Sequence, residues 1–582
     1  MRRELAGFLT LVLGLVIVAL LILASPRSAR HGEEEHESGT SLIEQEMASA
    51  EPPEAGSQVA AAATAAQIVE VAQAAAQPTE PGPLYVALIW HQHQPLYYRD
   101  PVTGYYQKPW VRLHAVKDYY DMAAMVENYP PAHVTFNLTP SLIRQLDELA
   151  NGAKDIYQII AERPAEELTE EEKLFTLRRF FDINWQNIIP RYPRYVELLN
   201  ERGRDSSDLA LAAAMESFTA QDYRDLQVWF NLAWMDPDFL TQEPLKSLVE
   251  KGRGYSESDK TGLFQRQLEI IREVISLHRR LQDEGKIEVT MTPYAHPILP
   301  LIYDSNLASI AMSTALLPEQ FSYPQDAQAQ LALGVQFYRD HFGRDPRGMW
   351  PAEGSVAQAV VGMIAQAGVN WMATDEGVLA RSLGRGSQFN RNIRDAVVDA
   401  DVLYRPYQVA EGEGRPVAIL FRDRLISDKV GFEYSGMRPT LAVQDMLNRL
   451  SEIRRRLERS GSTGPHLVTV LLDGENAWEH YANDGKEFLN TLYQRLSADP
   501  NLKLVTPSEY LEMFPDAPKL DNLWAGSWIN ADFSTWIGEE EENTAWEYLR
   551  RVRVYLESRQ GQVSDEQYQA ALESMYAAEG SD

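Results

Sequence analysis

Short runs of apolar and β-branched residues recur from Leu84 onward, and each stops at a polar or aromatic cluster. LYVALIW ends at His91, HVTFNL holds Asn137, VWFNLAW ends near Met235-Asp236 and KIEVTMTPYAH ends at His296. Further along, GMWPAE ends at Glu353, VNWMATDE at Asp375 and Glu376, VAILFRD at Arg422 and Asp423, and HLVTVLLD at Asp473. Several runs are apolar on both faces, the pattern of parallel strands covered on each side. Stretches of helical period separate them, among them SVAQAVVGMIAQAG and LAVQDMLNRLSEIRRRLERSG. Strands alternating with helices predict a parallel α/β sheet.

One regularity selects among such folds. Nearly every run carries its ionisable or hydrogen-bonding group at its C-terminal end. In a (β/α) barrel those ends converge on one rim, where a site forms. An open doubly wound sheet gathers them only at a switch point. Seven or eight contributing runs therefore favour a barrel, here spanning 84–507. Two regions depart from the alternation. Residues from about 141 to 224 are helical and charged and predict an insertion over the rim. The stretch 508–582 is mostly helical and rich in tryptophan.

The sequence ahead of the barrel is of another kind. After the basic MRREL, Ala6–Ala24 is apolar or Gly apart from Thr10. At ~1.5 Å per residue this run reaches the thickness of a bilayer core, about 30 Å. Residues 1–25 are thus a membrane anchor or, with the small residues of LASPRSAR offering a cleavage point, a removed signal peptide. Either reading puts the folded part outside the cytoplasm, membrane-anchored or secreted. Residues 26–83 hold Ala, Glu, Gln, Ser and Pro with almost no aromatics, which predicts a disordered linker, with an Ala-rich helix near 56–76.

Composition narrows the function. A net charge of −30 argues against a nucleic-acid partner, which requires a positive field. The absence of cysteine excludes disulfides and thiol chemistry.

The candidate chemistry centres on two carboxylates. Glu353 follows a strand, and Ser355 reads as the N-cap of the next helix, whose dipole would favour an ionised carboxylate suited to nucleophilic attack. Asp473 ends its own buried strand on the same rim. Sugar chemistry uses such a pair, one group attacking the anomeric carbon and the other, kept protonated, serving the leaving oxygen. Two close carboxyls do not both ionise easily, which supplies the acid. Glu353 is therefore the candidate nucleophile and Asp473 the acid/base. Glu475, past the Gly474 turn, is a rival acid, a sugar ligand or a brace for Asp473. Trp350, Trp478, Trp90, Tyr97 and Tyr98 lie beside rim residues, with Trp528, Trp536 and Trp546 near the end; aromatic plates suit the C–H faces of sugars. The pair His91 and His93 raises a metal reading, with His296 and Asp473 as further ligands. Pro95 ends the strand soon enough for the two rings to diverge, so the working expectation is no metal or other cofactor, with a structural calcium left open.

Taken in order, WHQHQPLYY, EVTMTPYAHPILPL, MWPAEGSV, FRDRLISDKVGF, LLDGENAWEHY and WIGEEEENTAWEYL resemble the motif set of glycoside hydrolase family 57, in its amylopullulanase and α-amylase branch. The likeness runs from about Leu84 to Leu556. It implies an incomplete (β/α)7 barrel with a C-terminal helical region and retaining hydrolysis of α-glucans, α-1,4 and also α-1,6 linkages being within its range. The implied nucleophile falls on Glu353 and the acid/base on Asp473. His93 and His296 fall on substrate-site positions, as do Asp375 and Asp423; His91, Trp350, Glu475, Trp478 and Trp536 complete the expected substrate-binding set. Glucanotransferases and branching enzymes share that carboxylate pair. The competing classes are a metal-dependent carbohydrate deacetylase or mannosidase, and a non-catalytic surface glycan-binding protein.

Overall fold

The computed structural model describes residues 82–462, 464–475 and 477–581. The expected leader and linker lie outside the described residues. Among the described residues no helix is long and apolar enough to cross a membrane.

Seven parallel strands form the body. They are β1 (Leu84–Gln92), β2 (Val134–Leu138), β3 (Ile287–Thr290), β4 (Gly348–Met349), β5 (Trp371–Asp375), β7 (Val417–Arg422) and β8 (Leu467–Asp473). Their spatial order, β3-β2-β1-β8-β7-β5-β4, follows chain order around a ring. Single bonds close the ring between β3 and β4: the Met291–Met349 bridge, and Trp350 N–H donating to Met291 O at 3.0 Å. The β7–β8 seam is also thin. Only Arg422 and Thr469 pair there, and side chains replace the ladder: Arg422 Nη1 donates to Leu471 O, and Leu471 N–H donates to Ser427 Oγ, both at 3.2 Å. The fold is a nearly closed (β/α)7 barrel. A short strand β6 (Tyr407–Val409) pairs antiparallel with β7, and β9 (Leu502–Leu504) pairs with the start of β1.

Every residue of β2, β3, β5 and β7 is buried, which accounts for their unbroken apolar reading. The stretch VWFNLAW is different. Expected as a strand, it lies in the helix Ala220–Ala233. Residues Tyr223 to Ala233 of that helix are all buried, its polar Arg224, Asp225, Gln227 and Asn231 included, so no exposed face marks the short apolar run as part of a helix. Helices consequently fill the whole interval from Pro140 to Asp283 between β2 and β3, beyond the expected insertion near 141–224. Buried Arg112 fastens this insertion, donating to Asp155 at 2.5 Å, Asn231 at 2.8 Å and Gln267 at 2.9 Å. A guanidinium so enclosed depends on such a complete set of acceptors.

β4 carries glycine at its first position for a steric reason. The Trp371 indole of β5 occupies the space beside Gly348, where an added Cβ would lie 2.0 Å from it. That indole is held by Glu288 and Ser508, its N–H lying 3.0 and 3.1 Å from their oxygens, so it has no easy retreat. Gly348→Ala is expected to destabilise the protein by about 1–3 kcal/mol through overpacking. A urea titration would show the midpoint falling with little change in slope.

Candidate active site

The rim is assembled by strand register. His91, near the end of β1, sits level with Asn137 of β2 on one side and Asp473 of β8 on the other. Its Nδ1 is 2.6 Å from Asn137 Oδ1, and Asn137 Nδ2 donates to Thr290 Oγ1 of β3 at 3.1 Å. One polar layer therefore crosses four adjacent strand ends. Gly474 N–H donates to His91 O at 2.6 Å and fixes the turn that follows Asp473.

Two loop residues approach this layer through left-handed backbone, rare for side chains other than glycine: His296 at φ 60° and Glu353 at φ 55°. Non-glycine residues in that region persist where surrounding contacts over-determine them, often at functional sites. For Glu353, Trp528 N–H donates to its backbone O at 3.0 Å, and Trp528 Nε1 donates to its Oε2 at 2.9 Å. His296 Nδ1 lies 3.9 Å from Glu353 Oε1. The expected helix cap at Ser355 is not formed. The α-helix begins at Val361, and Glu353 sits in a 3-10 turn whose cap residue Ser355 makes no side-chain capping bond. An indole donor and an imidazole take the place expected for the helix dipole.

The histidines do not diverge. His91 and His93 stack at 5.5 Å with planes 9° apart, and His93 and His296 at 3.8 Å and 20°. Ring nitrogens of the three lie within 4.8 Å of one another. Imidazoles bound to one ion radiate from it at ~2.0–2.1 Å; these are arranged face to face. A second acidic group, Asp121, Asp236 and Asp238, encloses the Lys486 ammonium at 2.6, 3.3 and 2.7 Å.

Exposure divides the expected site residues. Glu353, Asp473, His93 and Trp536 keep partial exposure, as does Trp528, one of the tryptophans noted near the end of the sequence. His91 and His296 are fully enclosed and act as walls behind His93 and Glu353. Trp350 is buried against His91 at 5.9 Å and Trp528 at 5.1 Å. The expected substrate roles of Trp478, Asp375 and Asp423 give way to structural ones. Trp478, 1% exposed, donates its indole N–H to Gly474 O at 2.7 Å and meets Trp90 edge-on, bracing the Asp473 turn from beneath. Asp375 caps its helix through Gly377 N–H and accepts from Arg422 Nε at 2.9 Å. Asp423 accepts from Tyr404 at 2.7 Å, from Ile426 N–H at 3.0 Å and from Arg391. Trp528 escaped sequence reasoning because it lies 175 residues from Glu353; its crowding with other tryptophans was the only signal.

Glu475 is a brace. Its Oε1 accepts the His93 N–H at 3.0 Å and lies 3.4 Å from Tyr119 Oη. Burial, then the charge of Asp473, pushes its carboxyl well above the ordinary 4.5. A carboxyl raised on folding binds more protons folded than unfolded, so it favours the fold fully only below about pH 4.5, and each pH unit above costs about 1.4 kcal/mol until the folded value is passed. Glu475→Gln keeps the acceptor and removes this cost. The variant's melting temperature is expected to exceed the wild type's at pH 8, the gap closing towards pH 4.5 in a calorimetric pH series.

The rim of this (β/α)7 barrel thus brings Glu353, after β4, and Asp473, at the end of β8, to the same end of the strands as His91. The model of glycosyl hydrolase family 57 matches residues 87–520, and the chain belongs to that family. It is 24% identical over 343 residues to the 1,4-alpha-glucan branching enzyme TK1436 of Thermococcus kodakarensis. That match covers 48% of this chain and 46% of the relative, so it spans about half of that protein. The fold is similar to the alpha-amylase AmyC of Thermotoga maritima, with a TM-score of 0.50 and 16% identity over 86% of this chain and 87% of the other. It is similar also to a branching enzyme of Pyrococcus horikoshii, at 0.50 and 16%, over 83% and 80%.

Proposed function

We propose that the protein is a retaining glycoside hydrolase acting on α-glucans, cleaving α-1,4 linkages with α-1,6 linkages as a secondary target. One observation carries this reading: Glu353, partly exposed at the rim, is held in strained backbone by the Trp528 indole and faces the histidine stack that adjoins Asp473. A carboxylate accepting an indole N–H has that oxygen, and with it the plane of the group, oriented. In the first step Glu353 attacks the anomeric carbon as Asp473 gives its proton to the departing glycosidic oxygen. In the second, Asp473 takes a proton from water, whose oxygen displaces Glu353 and restores the α anomer. His93, Trp528 and Trp536 are the side chains placed to contact the sugar.

The match to a branching enzyme favours a second outcome for the same intermediate, capture by a sugar hydroxyl instead of water. The ratio depends on how well water is excluded while the glycosyl-enzyme persists. Placement outside the cytoplasm is part of the proposal and rests on the leader sequence.

Glu353→Ala and Asp473→Asn are each expected to lower kcat on maltoheptaose by at least ~10³-fold, the scale of losing a nucleophile or proton donor. Circular dichroism should be unchanged. Proton NMR of the first product should show the α anomer; a β anomer would end the retaining assignment. New α-1,6 signals in the same spectra would report transfer. The face-to-face histidines further predict that exhaustive chelation leaves turnover intact. Loss of activity on chelation, restored by zinc, would move the reading to metal-dependent carbohydrate chemistry.

A further inference from the structure

The motif FRDRLISDKVGF supplies Arg422 and Asp423 to the networks beneath the rim, and its second half continues past them. After β7 the chain forms the helix Arg424–Asp428 and runs on into a π-helical turn, Lys429–Glu433. Ser427, Val430 and Tyr434 make the buried face of this segment. Leu471 N–H of β8 donates to Ser427 Oγ, Tyr481 Oη donates to Val430 O at 2.5 Å, and Tyr434 Oη donates to Asp445 at 2.8 Å. Gly431 sits against Leu472, the residue before Asp473; a Cβ there would lie 3.5 Å from Leu472 Cδ1. The segment is thus pinned over the end of the strand that carries Asp473.

Its open face holds Asp428 and Phe432, four residues apart and so neighbours along a helical path. Asp428 adjoins the pocket. Its Oδ1 is 3.2 Å from Arg422 Nη2, the Arg422 guanidinium lies 4.9 Å from the centre of the Trp528 ring, and Trp528 holds Glu353. Phe432 is 81% exposed, although Val430 and Tyr434 on either side of it are buried. Short π-helical turns are rare and gather at functional sites, where they re-aim a side chain. Here one presents an aromatic ring to solvent beside a carboxylate.

We propose that Asp428 and Phe432 form a sugar subsite at the mouth of the pocket, for a glucose unit next to the one that reaches Glu353. The Phe432 ring stacks on the apolar C–H face of the α-glucan, and the Asp428 carboxylate accepts from its hydroxyls. The pairing suits a neutral polyol, since the carboxylate repels an anion. The subsite rests on the proposed action on α-glucans.

Maltoheptaose binding, measured by titration calorimetry in Glu353→Ala protein so that the sugar stays uncut, tests it. Adding Phe432→Ala is expected to weaken binding about fivefold. Phe432→Trp, which keeps a plate, should retain it, and Asp428→Asn should weaken it about threefold. Leu209→Ala, which removes a comparably exposed side chain from the helix Asp208–Ser217, should leave the affinity unchanged. In protein labelled with 4-fluorophenylalanine, the 19F resonance missing from Phe432→Trp should shift as maltoheptaose is added. Undiminished affinity in Phe432→Ala, or a Phe432 resonance that stays still while the sugar binds, would overturn the subsite and leave the catalytic assignment standing. A Phe432→Trp protein as weak as Phe432→Ala would also overturn it, since the plate would then not be the cause. If neither wild type nor Glu353→Ala bound maltoheptaose, the α-glucan reading itself would fail, and the subsite with it.

Discussion

The register of β1 is the constraint on which the site depends. His91 must lie level with Asn137 on one neighbour and Asp473 on the other for the polar layer to form across the strand ends. Side chains alternate along a strand, so a slip of one residue would turn His91 outward and bring Gln92 or Trp90 into its place. Burial makes that slip costly. β1 is enclosed along almost its whole length, and its apolar residues have fixed partners in the core. The same packing that stabilises the barrel therefore sets Asp473 level with His91 at its rim.

The loops solve a different problem. β3 and β4 are joined by little more than one bridge, and the chain beyond each must still return a side chain to the centre. His296 and Glu353 achieve this with left-handed backbone, each a conformation of order 1–3 kcal/mol less favourable for an ordinary residue. Neither loop is left to maintain that geometry alone. The Trp528 backbone and indole bracket Glu353, and Gln330, accepting the Ala295 N–H, holds the His296 turn. The strain is local, and its supports come from elsewhere in the chain: Trp528 from beyond the barrel strands, Gln330 from the helix Pro324–Phe342 between β3 and β4.

What could be read from the sequence follows from the physics of each element. Buried parallel strands announce themselves as apolar runs ended by a functional group, so His91, Glu353, Asp473 and the barrel itself were legible. VWFNLAW imitated such a run because a short apolar stretch looks the same in a buried strand and in a helix enclosed on all sides. The surroundings expected for Glu353 were not those found, since the helix begins at Val361 and a left-handed turn at Glu353 leaves no mark in the local sequence. Asp375, Asp423 and Trp478 occupy rim positions in sequence yet point into networks that only coordinates disclose. The contact of Trp528 with Glu353 was beyond reach for a simpler reason: no local pattern records a partner 175 residues away.

The order in which these parts leave the ribosome has a consequence. Domains begin to fold from their N-terminal side during synthesis, and the barrel strands precede residue 505 in this chain. Trp528 and Trp536 emerge only afterwards. The left-handed turn at Glu353 therefore gains its bracket from Trp528 only once synthesis has passed the last barrel strand.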